Sequence, residues 1–560
     1  MGKDKALHRP GNDGVYFLPL GGAGEIGMNL SLYGTEGKWL MVDLGVTFGD
    51  DTMPGIDVVM PDPTFIADRK DDLIGIVLTH GHEDHLGAIE YLWPQLQCPV
   101  YATPFTAGLL RAKLAERDVL PQNVRIIEVP NSGKVKLGPF EIQWISITHS
   151  IPESNCLAIK TKHGTVLHTG DWKLDASPML GEVTNEAALK ALGAEGVLAA
   201  VVDSTNALVP GWSGSEKDVR ENLKRLFGQY QHRIIVTCFA SNVARLMSIY
   251  DAAKAHGREV ALVGRSLWRI EAVARDTGYI PPHVMFLEPH EAGFLPRDKA
   301  VYICTGSQGE KRSALARLAA GEHHELALEE GDTVLYSSRE IPGNEKAIAA
   351  VQNSLIRSGL RLVTINEEPI HVSGHPCQDE LVQMYQWLRP QVAVPVHGEA
   401  RHQAENARMA SMCQVPQTIV PNNGEMYRLG PGKAEKVGEV QAGRWALDGL
   451  KLRPLTDATL KARQKMMGSG VATVSLVVNE KGQLLVDPQV SLIGLGEGPD
   501  ADDSETLDVR DAVIQAFQQM PKSQRLDDVA IQHSVRQAVR RTLNDIYGRK
   551  PITEVHVVRV

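Results

Sequence analysis

Six consecutive residues, His80-Gly81-His82-Glu83-Asp84-His85, concentrate metal-binding chemistry in one short loop. They follow an apolar run at 73–78 that reads as a buried strand. They precede residues 86–93, whose apolar positions recur at roughly helical spacing. Three imidazoles and a carboxylate therefore sit where a strand gives way to a helix. His80 and His82, two apart in extended chain, point to the same side, while Asp84 and His85, at the turn into the helix, face a second position nearby. Two cations about 3.5–4 Å apart can share a hydroxide and clamp a phosphoryl group from both sides, so the chemistry expected is metal-assisted hydrolysis.

More candidate ligands stand at the ends of other apolar runs. His149 follows residues 142–148, Asp171 follows 165–169, and His397 follows 392–396. Asp43, after 39–42, is a further acid in the same kind of position. Loops at one edge of a sheet are where sites gather. A set of histidines and carboxylates without thiolate suits Zn²⁺ or Mn²⁺ and not a structural zinc finger. Glu83 reads as a capping or solvated carboxylate, and His163, His168 and His402 as structural residues.

The elements that must position these groups set the scale of the chain. At 560 residues it is too long for one ordinary core, and length alone suggests about three or four domains. Hydrophobic residues make up 43%, the share of an ordinary globular protein, and no apolar stretch reaches the roughly 18 residues of a membrane span. The first residues lack a secretory signal, and Ala6 stands where a myristoylation site has Ser or Thr. Six scattered cysteines with no Cys-x-x-Cys fit a reducing cytoplasm and argue against a disulfide frame or a thiolate zinc site. A formal charge of −10 argues against coating nucleic acid by bulk attraction, though not against a local basic channel at a metal site.

Residues 15–210 alternate short apolar strands with turns and helical patterns such as 105–120, a mixed α/β arrangement rich in sheet. From 211 to 365 strands and helices alternate regularly, which implies a parallel sheet covered on both faces. Residues 376–450 return to the first style. Gly, Lys and Pro between 431 and 455 read as a linker, 470–560 as a last small domain, and 496–505 as a solvated acidic loop.

Together these ligand positions resemble the metallo-β-lactamase superfamily of the His-x-His-x-Asp-His type. The long insert between Asp171 and His397 matches its β-CASP branch, which holds nucleases. More narrowly, almost the whole chain resembles the bacterial ribonuclease J family. The likeness rests on Gly21-Gly22-Ala23-Gly24-Glu25-Ile26-Gly27-Met28-Asn29, Asp203-Ser204-Thr205-Asn206 and Phe239-Ala240-Ser241-Asn242. Thr305-Gly306-Ser307-Gln308-Gly309-Glu310, Ser338-Arg339-Glu340-Ile341-Pro342-Gly343-Asn344-Glu345 and His371-Val372-Ser373-Gly374-His375 complete it.

The resemblance implies an αββα sandwich at 1–210 and 371–450, interrupted by a β-CASP parallel α/β domain at 211–370. A linker at 451–469 and a small C-terminal α/β domain at 470–560, used for self-association, would follow. It implies one metal on His80, His82 and His149, another on Asp84, His85 and His397, Asp171 bridging them, and Asp43 buttressing the site from behind. Asp203 matches the acid of the β-CASP branch and His375 its first added histidine. Histidine at position 397 accompanies RNA substrates in that branch.

The activity implied is a two-metal hydroxide mechanism on RNA phosphodiesters, with Asp84 orienting the attacking group. His375, held by Asp203, would steady the phosphate and protonate the departing oxygen. The enzyme would be a 5′→3′ exonuclease with endonuclease activity, leaving 5′-phosphates, in rRNA processing and mRNA decay. Single-stranded RNA with a 5′-monophosphate is the expected substrate, with single-stranded DNA left open. Ser241 and Asn242 at a helix start, and Ser373, Gly374 and His375 as a short anion nest, are the expected phosphate contacts. Arg245 and Arg339 are candidate strand contacts. A cytoplasmic homodimer or homotetramer with RNA-decay partners completes the expectation. The alternatives are a metal-dependent DNA nuclease or a non-catalytic RNA-binding paralogue.

Overall fold

Two sheets that share one apolar core place the strand ends on which the candidate ligands sit. The computed structural model describes residues 9–116, 124–495 and 504–560. Most of the expected acidic loop, the N-terminal residues 1–8 and residues 117–120 of the expected helix at 105–120 lie outside the described residues. The chain forms two compact units, one of residues 1–47 and 59–444, the other of residues 48–58 and 445–560.

In the larger unit an eight-stranded mixed sheet runs in the order Glu435–Glu439, Glu425–Gly430, Val15–Gly21, Leu30–Thr35, Lys38–Val42, Leu73–Val77, Val100–Ala102, Ile126–Glu128. A seven-stranded sheet runs Lys134–Leu137, Phe140–Ser146, Asn155–Thr161, Gly164–His168, Ala199–Asp203, Val392–Val396, Gln417–Thr418. Phe17, Tyr33, Leu40 and Val77 of the first pack with Ile142, Trp144, Leu157 and Val201 of the second in one buried cluster. Period-two alternation lets each strand serve two cores. In Ala199–Asp203, Val201 joins that inner cluster while Ala200 and Val202 join another, against Leu189, Leu381, Tyr385 and Met409 of the outer helices. Helix Pro104–Glu116 lies beside Val100–Ala102 and Ile126–Glu128 of the first sheet. The result is the αββα sandwich expected.

Between its strands Ala199–Asp203 and Val392–Val396 the chain leaves the sandwich and builds a five-stranded sheet, in the order Glu259–Val263, Ala300–Cys304, Ile234–Thr237, Thr333–Tyr336, Arg361–Val363. All its pairings are parallel. Helix Val243–Ala255 leaves the central strand here and is anchored from within. Arg245, fully buried, donates to both Glu216 carboxylate oxygens at 2.9–3.2 Å and to the carbonyls of Ser337 and Ile370 at 3.0 Å. The sequence offered Arg245 as a strand contact. The structure corrects this, since its guanidinium is spent on closing the insert.

In the smaller unit Val471–Val478 pairs antiparallel with Gln489–Ile493 and parallel with Ile552–Arg559. Its alternate residues Ala472, Val474, Leu476 and Val478 are buried with Val513, Phe517, Val535 and Val539 of helices Ser504–Gln519 and Asp528–Tyr547.

The stretch expected as a linker carries regular structure instead. Strand Glu435–Glu439 pairs with Glu425–Gly430 at the edge of the eight-stranded sheet. Arg444–Asp448 and Lys451–Pro454 form a hairpin closed by Gly449-Leu450, and helix Ala458–Ser469 is capped by Asp457. Gly449, at φ 61°, supplies the conformation that such a two-residue turn needs. Glycine and proline here punctuate a hairpin, and composition alone reads the same residues as a spacer.

Arg245→Met should lower the unfolding free energy of the larger unit by about 3–5 kcal/mol, because it strands the Glu216 carboxylate in the interior. An earlier urea midpoint checks this, and an unchanged midpoint would show that the ion pair contributes nothing.

Candidate metal centre and active site

Most candidate ligands lie at or just beyond a strand end, while Asp84 and His85 stand in the short helix Glu83–Leu86 that follows. His80 follows Leu73–Val77, Asp171 follows Gly164–His168, Asp203 closes Ala199–Asp203, and His397 follows Val392–Val396. The parallel register pairs Asp203 with Val396, so His397 emerges beside Asp203. Asp43 at φ 60° and His397 at φ 50° hold a left-handed backbone that costs about 1–3 kcal/mol for a residue with a Cβ, a strain typical of sites.

The seven expected ligands converge in two overlapping groups, in each of which the ligand atoms lie within 4.8 Å of one another, and Asp171 and His397 form a third such group with Asp203 and His375. One is His80, His82, His149 and Asp171, and the other is Asp84, His85, Asp171 and His397. In the first, His82 Nδ1 lies 3.1 Å from both His80 Nε2 and His149 Nε2. In the second, His397 Nε2 lies 3.1 Å from Asp84 Oδ2, and His85 Nε2 lies 3.2 Å from Asp171 Oδ2. Asp171 belongs to both, and its Oδ1 is buried with no hydrogen-bond partner. A buried carboxylate oxygen left bare among convergent imidazole nitrogens fits a cation. The residues present thus suit a pair of divalent metals.

The far nitrogen of each ring is held. Thr79 Oγ1 lies 2.9 Å from His80 Nδ1, and Asp43 Oδ2 accepts from His85 Nδ1 at 2.8 Å. The Gly374 carbonyl accepts from His149 Nδ1 at 2.6 Å, and Thr205 Oγ1 lies 2.7 Å from His397 Nδ1. Ser241 Oγ lies 3.0 Å from His82 Nε2. Such contacts fix the tautomer, so that the near nitrogen presents its lone pair inward. Asp43 is itself fixed, accepting from the Thr79 N–H and hydroxyl at 2.8 Å each.

Burial and charge set the protonation of the cluster. Burial pushes His80 and His149 well below the usual imidazole range and His82 down to about 4, so these three are neutral. Burial works the same way on His85, but the carboxylates of Asp171, Asp84 and Asp43 outweigh it and hold that ring well above its ordinary value. His397 is likewise raised, by Asp171, Asp203 and Asp84 against burial. Burial opposes ionisation of Asp84, yet His85 and His397 bring it down to about 2.

Asp203 Oδ2 accepts from His375 Nδ1 at 2.8 Å and raises that ring against its burial. His375 stacks on His397 with ring centroids 5.5 Å apart. It keeps 22% of its side chain exposed and Asp84 30%, whereas His85, Asp171 and His397 keep 2–4%. His375 and Asp84 therefore form the solvent side of the cluster.

The remaining expected contacts divide. Ser373 Oγ accepts from Asn206 Nδ2 at 2.7 Å, and the His375 N–H points back to it at 3.2 Å. Asn206 also receives Arg339 Nη1 at 2.7 Å, which ties that exposed arginine to the His371–His375 loop. Asn242 does not face the site. Its carbonyl oxygen accepts from the Arg245 N–H, its amide donates to Glu216, and its own N–H bonds Phe239. The sequence placed it on phosphate, and the structure corrects this to a helix cap. Glu83 pairs with Lys113.

Thr79, Thr205 and Asn206 were missed by sequence reasoning. The signal for Thr79 was position alone, one residue before His80, whereas Thr205 and Asn206 stand in the Asp203–Asn206 stretch that carried the resemblance but was given no role beyond Asp203.

Known proteins are similar to this chain along most of its length. Residues 231–355 match the profile described as Ribonuclease J, beta-CASP domain, and residues 458–560 the Ribonuclease J C-terminal domain. Residues 24–195 match the metallo-beta-lactamase superfamily, and 364–421 the Zn-dependent metallo-hydrolase RNA specificity domain. A ribonuclease J of Sinorhizobium meliloti is 45% identical over 568 aligned residues, covering 100% of both chains. The chain belongs to the ribonuclease J family. It is a metal-dependent ribonuclease, a hydrolase of the β-CASP class. Ribonuclease J of Mycolicibacterium smegmatis is 38% identical with 98% of each chain covered. That of Thermus thermophilus is 36% identical over 86% of this chain and 85% of its own. A crystal structure of a protein of unknown function from Enterococcus faecalis V583 shares the fold at a TM-score of 0.54 and 18% identity, covering 74% of this chain and 99% of that one.

Asp43→Ala should leave His85 free to turn and weaken metal retention by about 10–100-fold. Metal content after dialysis against a weak chelator reads this, and retention equal to wild type would remove Asp43 from the design.

Proposed function

We propose that this chain hydrolyses single-stranded RNA from a 5′-monophosphate end, in the 5′→3′ direction and with endonucleolytic entry, leaving 5′-phosphates. The observation that carries the reading is the convergence of seven donor side chains in two groups joined by Asp171, with His375 and Asp84 on the open side.

In this proposal His80, His82 and His149 hold one divalent cation and Asp84, His85 and His397 a second, with Asp171 shared. Zn²⁺ and Mn²⁺ both suit the donor set. When bound, such a pair acidifies water and offsets the charge of the phosphodiester. The chain's own groups do the rest. Asp84, on the solvent side and ionised, orients the attacking water. His375 presents Nε2 outward because Asp203 holds Nδ1, and its raised proton affinity lets it meet a phosphate oxygen as a cation. As the phosphorus–O3′ bond breaks, His375 gives its proton to the departing oxygen, and the proton lost by the attacking water restores the His375 cation through solvent. The phosphate then stays on the 5′ side of the downstream nucleoside. Ser373, with the backbone of Gly374 and His375, binds the terminal phosphate, and Asn206 holds that loop in shape.

The proposed division keeps 1–210 and 371–450 as two parts of the metallo-β-lactamase domain and 211–370 as the β-CASP insert. Residues 470–560 serve self-association into a homodimer or homotetramer. No helix among the described residues is long and apolar enough to cross a membrane. A cytoplasmic place in RNA processing and decay, alongside other decay proteins, belongs to the same proposal.

The test uses RNA of one sequence bearing 5′-monophosphate or 5′-hydroxyl, labelled uniformly along its length. Mononucleotide release from the 5′-phosphorylated RNA, blocked by chelator and restored by Mn²⁺ or Zn²⁺, is expected. His375→Ala should slow release by about 10²–10⁴-fold while leaving metal content unchanged. Release that survives chelation, or an unimpaired His375→Ala, would overturn the mechanism.

A further inference from the structure

His82 is bound differently from the other rings of the cluster. His80, His85, His149 and His397 turn Nε2 inward, whereas His82 turns Nδ1 inward and Nε2 outward. Its outward nitrogen meets Ser241 Oγ at 3.0 Å. The partners of the other four rings stand near the strand ends of the sandwich or in the loop before helix Gln378–Leu388: Thr79, Asp43, Gly374 and Thr205. Ser241 stands in the inserted parallel domain, between its central strand Ile234–Thr237 and helix Val243–Ala255. His82 is the N-cap residue of helix Glu83–Leu86 and makes no side-chain cap bond, so its ring is free to be turned by outside contacts.

We infer that Ser241 is a positioning residue for the metal centre: its hydroxyl accepts a hydrogen bond from His82 Nε2–H, fixes the Nδ1 lone pair inward, and makes metal retention at one of the two positions depend on the placement of the inserted domain. The inference rests on the metal reading given above. A neutral imidazole carries one proton, and only the tautomer protonated at Nε2 offers Nδ1 to a cation. Without a partner at Nε2 the ring loses both tautomer selection and orientation.

The serine is held firmly enough for this task. Asn242, its neighbour, caps the helix through the Arg245 N–H at 2.9 Å and donates to Glu216 at 3.2 Å. Arg245 in turn is locked in the interior by Glu216, Ser337 and Ile370. The hydroxyl, having accepted from His82, retains its own proton to donate outward. One side chain can thus face a ligand of the cation on one side and an anionic substrate on the other. This revises the expectation that Ser241 serves phosphate alone.

The test measures Zn²⁺ binding by the full-length chain, stripped of metal, in competition with a chromophoric chelator and without RNA. Wild type is expected to show two sites. Ser241→Ala should weaken one of them by about 10–100-fold and leave the other at wild-type strength. Ser241→Thr, which keeps the hydroxyl, should hold both. Wild-type affinities at both sites in Ser241→Ala, with only the KM for 5′-phosphorylated RNA raised, would confine Ser241 to substrate and overturn the inference. Equal weakening in the Ala and Thr variants would trace the effect to packing and overturn it too. A wild-type chain that takes up no metal defeats the underlying metal reading, an outcome distinct from the first two.

Discussion

Seven donor side chains are gathered in one small volume, and the rest of the molecule is arranged to hold them there. Imidazole nitrogens 3.1 Å apart and a carboxylate oxygen with no hydrogen-bond partner gain nothing from one another as lone pairs. What keeps them facing inward is a ring of contacts behind them. Asp43 and Thr79 hold the first sheet's histidines, Thr205 and Asp203 hold His397, and the Gly374 carbonyl holds His149. All but the 3.5 Å approach of Asp203 to His397 are hydrogen bonds of 2.6–2.9 Å in a dry interior, where such bonds are strongest and an unmade one is costly. The left-handed backbone at Asp43 and His397 is a further cost, carried by the packed strands on either side.

Neither sheet could build the centre alone. His80, His82, Asp84 and His85 leave the eight-stranded sheet, while Asp171 and His397 leave the seven-stranded one. The shared core of Phe17, Tyr33, Trp144 and Val201 is therefore also the alignment device of the metal centre. Interiors are packed to near crystalline density, so the two sheets cannot slide without opening voids. Glycines mark where the approach is tightest: a Cβ on Gly45 would lie 1.7 Å from the Asp84 carbonyl oxygen. A side chain there would push the Asp84–His85 turn out of register with its partners across the cleft.

The ligands were legible in the sequence because they announce themselves by type and by place. Three histidines and an aspartate within six residues are rare, and His149, Asp171 and His397 each follow an apolar run that folds as a strand. The αββα sandwich and the parallel insert followed from strand order and from resemblance together. The groups behind the ligands were hidden, since Thr79, Thr205 and Ser241 are ordinary hydroxyl residues whose partners lie far along the chain. Ser241 and His82 are 159 positions apart, and Thr205 and His397 are 192. Arg245 and Asn242 misled for the related reason that a polar residue at a helix start looks the same whether it faces solvent, a ligand or Glu216. The supposed linker misled through composition, because the glycine and proline content of a hairpin and of a spacer coincide.

Charge decides the order in which such a centre can work. The chain carries a formal charge of −10, and Asp84, Asp171 and Asp203 all favour the ionised form at the place where an RNA phosphate must arrive. With protein groups alone, protons on His85 and His397 offset those acids. In the proposed two-metal centre, exchanging two such protons for two divalent cations would add about two positive charges in the same small volume. Under that proposal, attraction for a polyanion would arise at the cleavage point with metal uptake. A protein of this overall charge gains little from binding RNA non-specifically, since its attraction for the strand is localised where the bond is broken. That argues for metal first and RNA second, and for His375 as the one ring left to carry a proton beside the phosphate, since its Nδ1 is held by Asp203 and its outward face meets solvent.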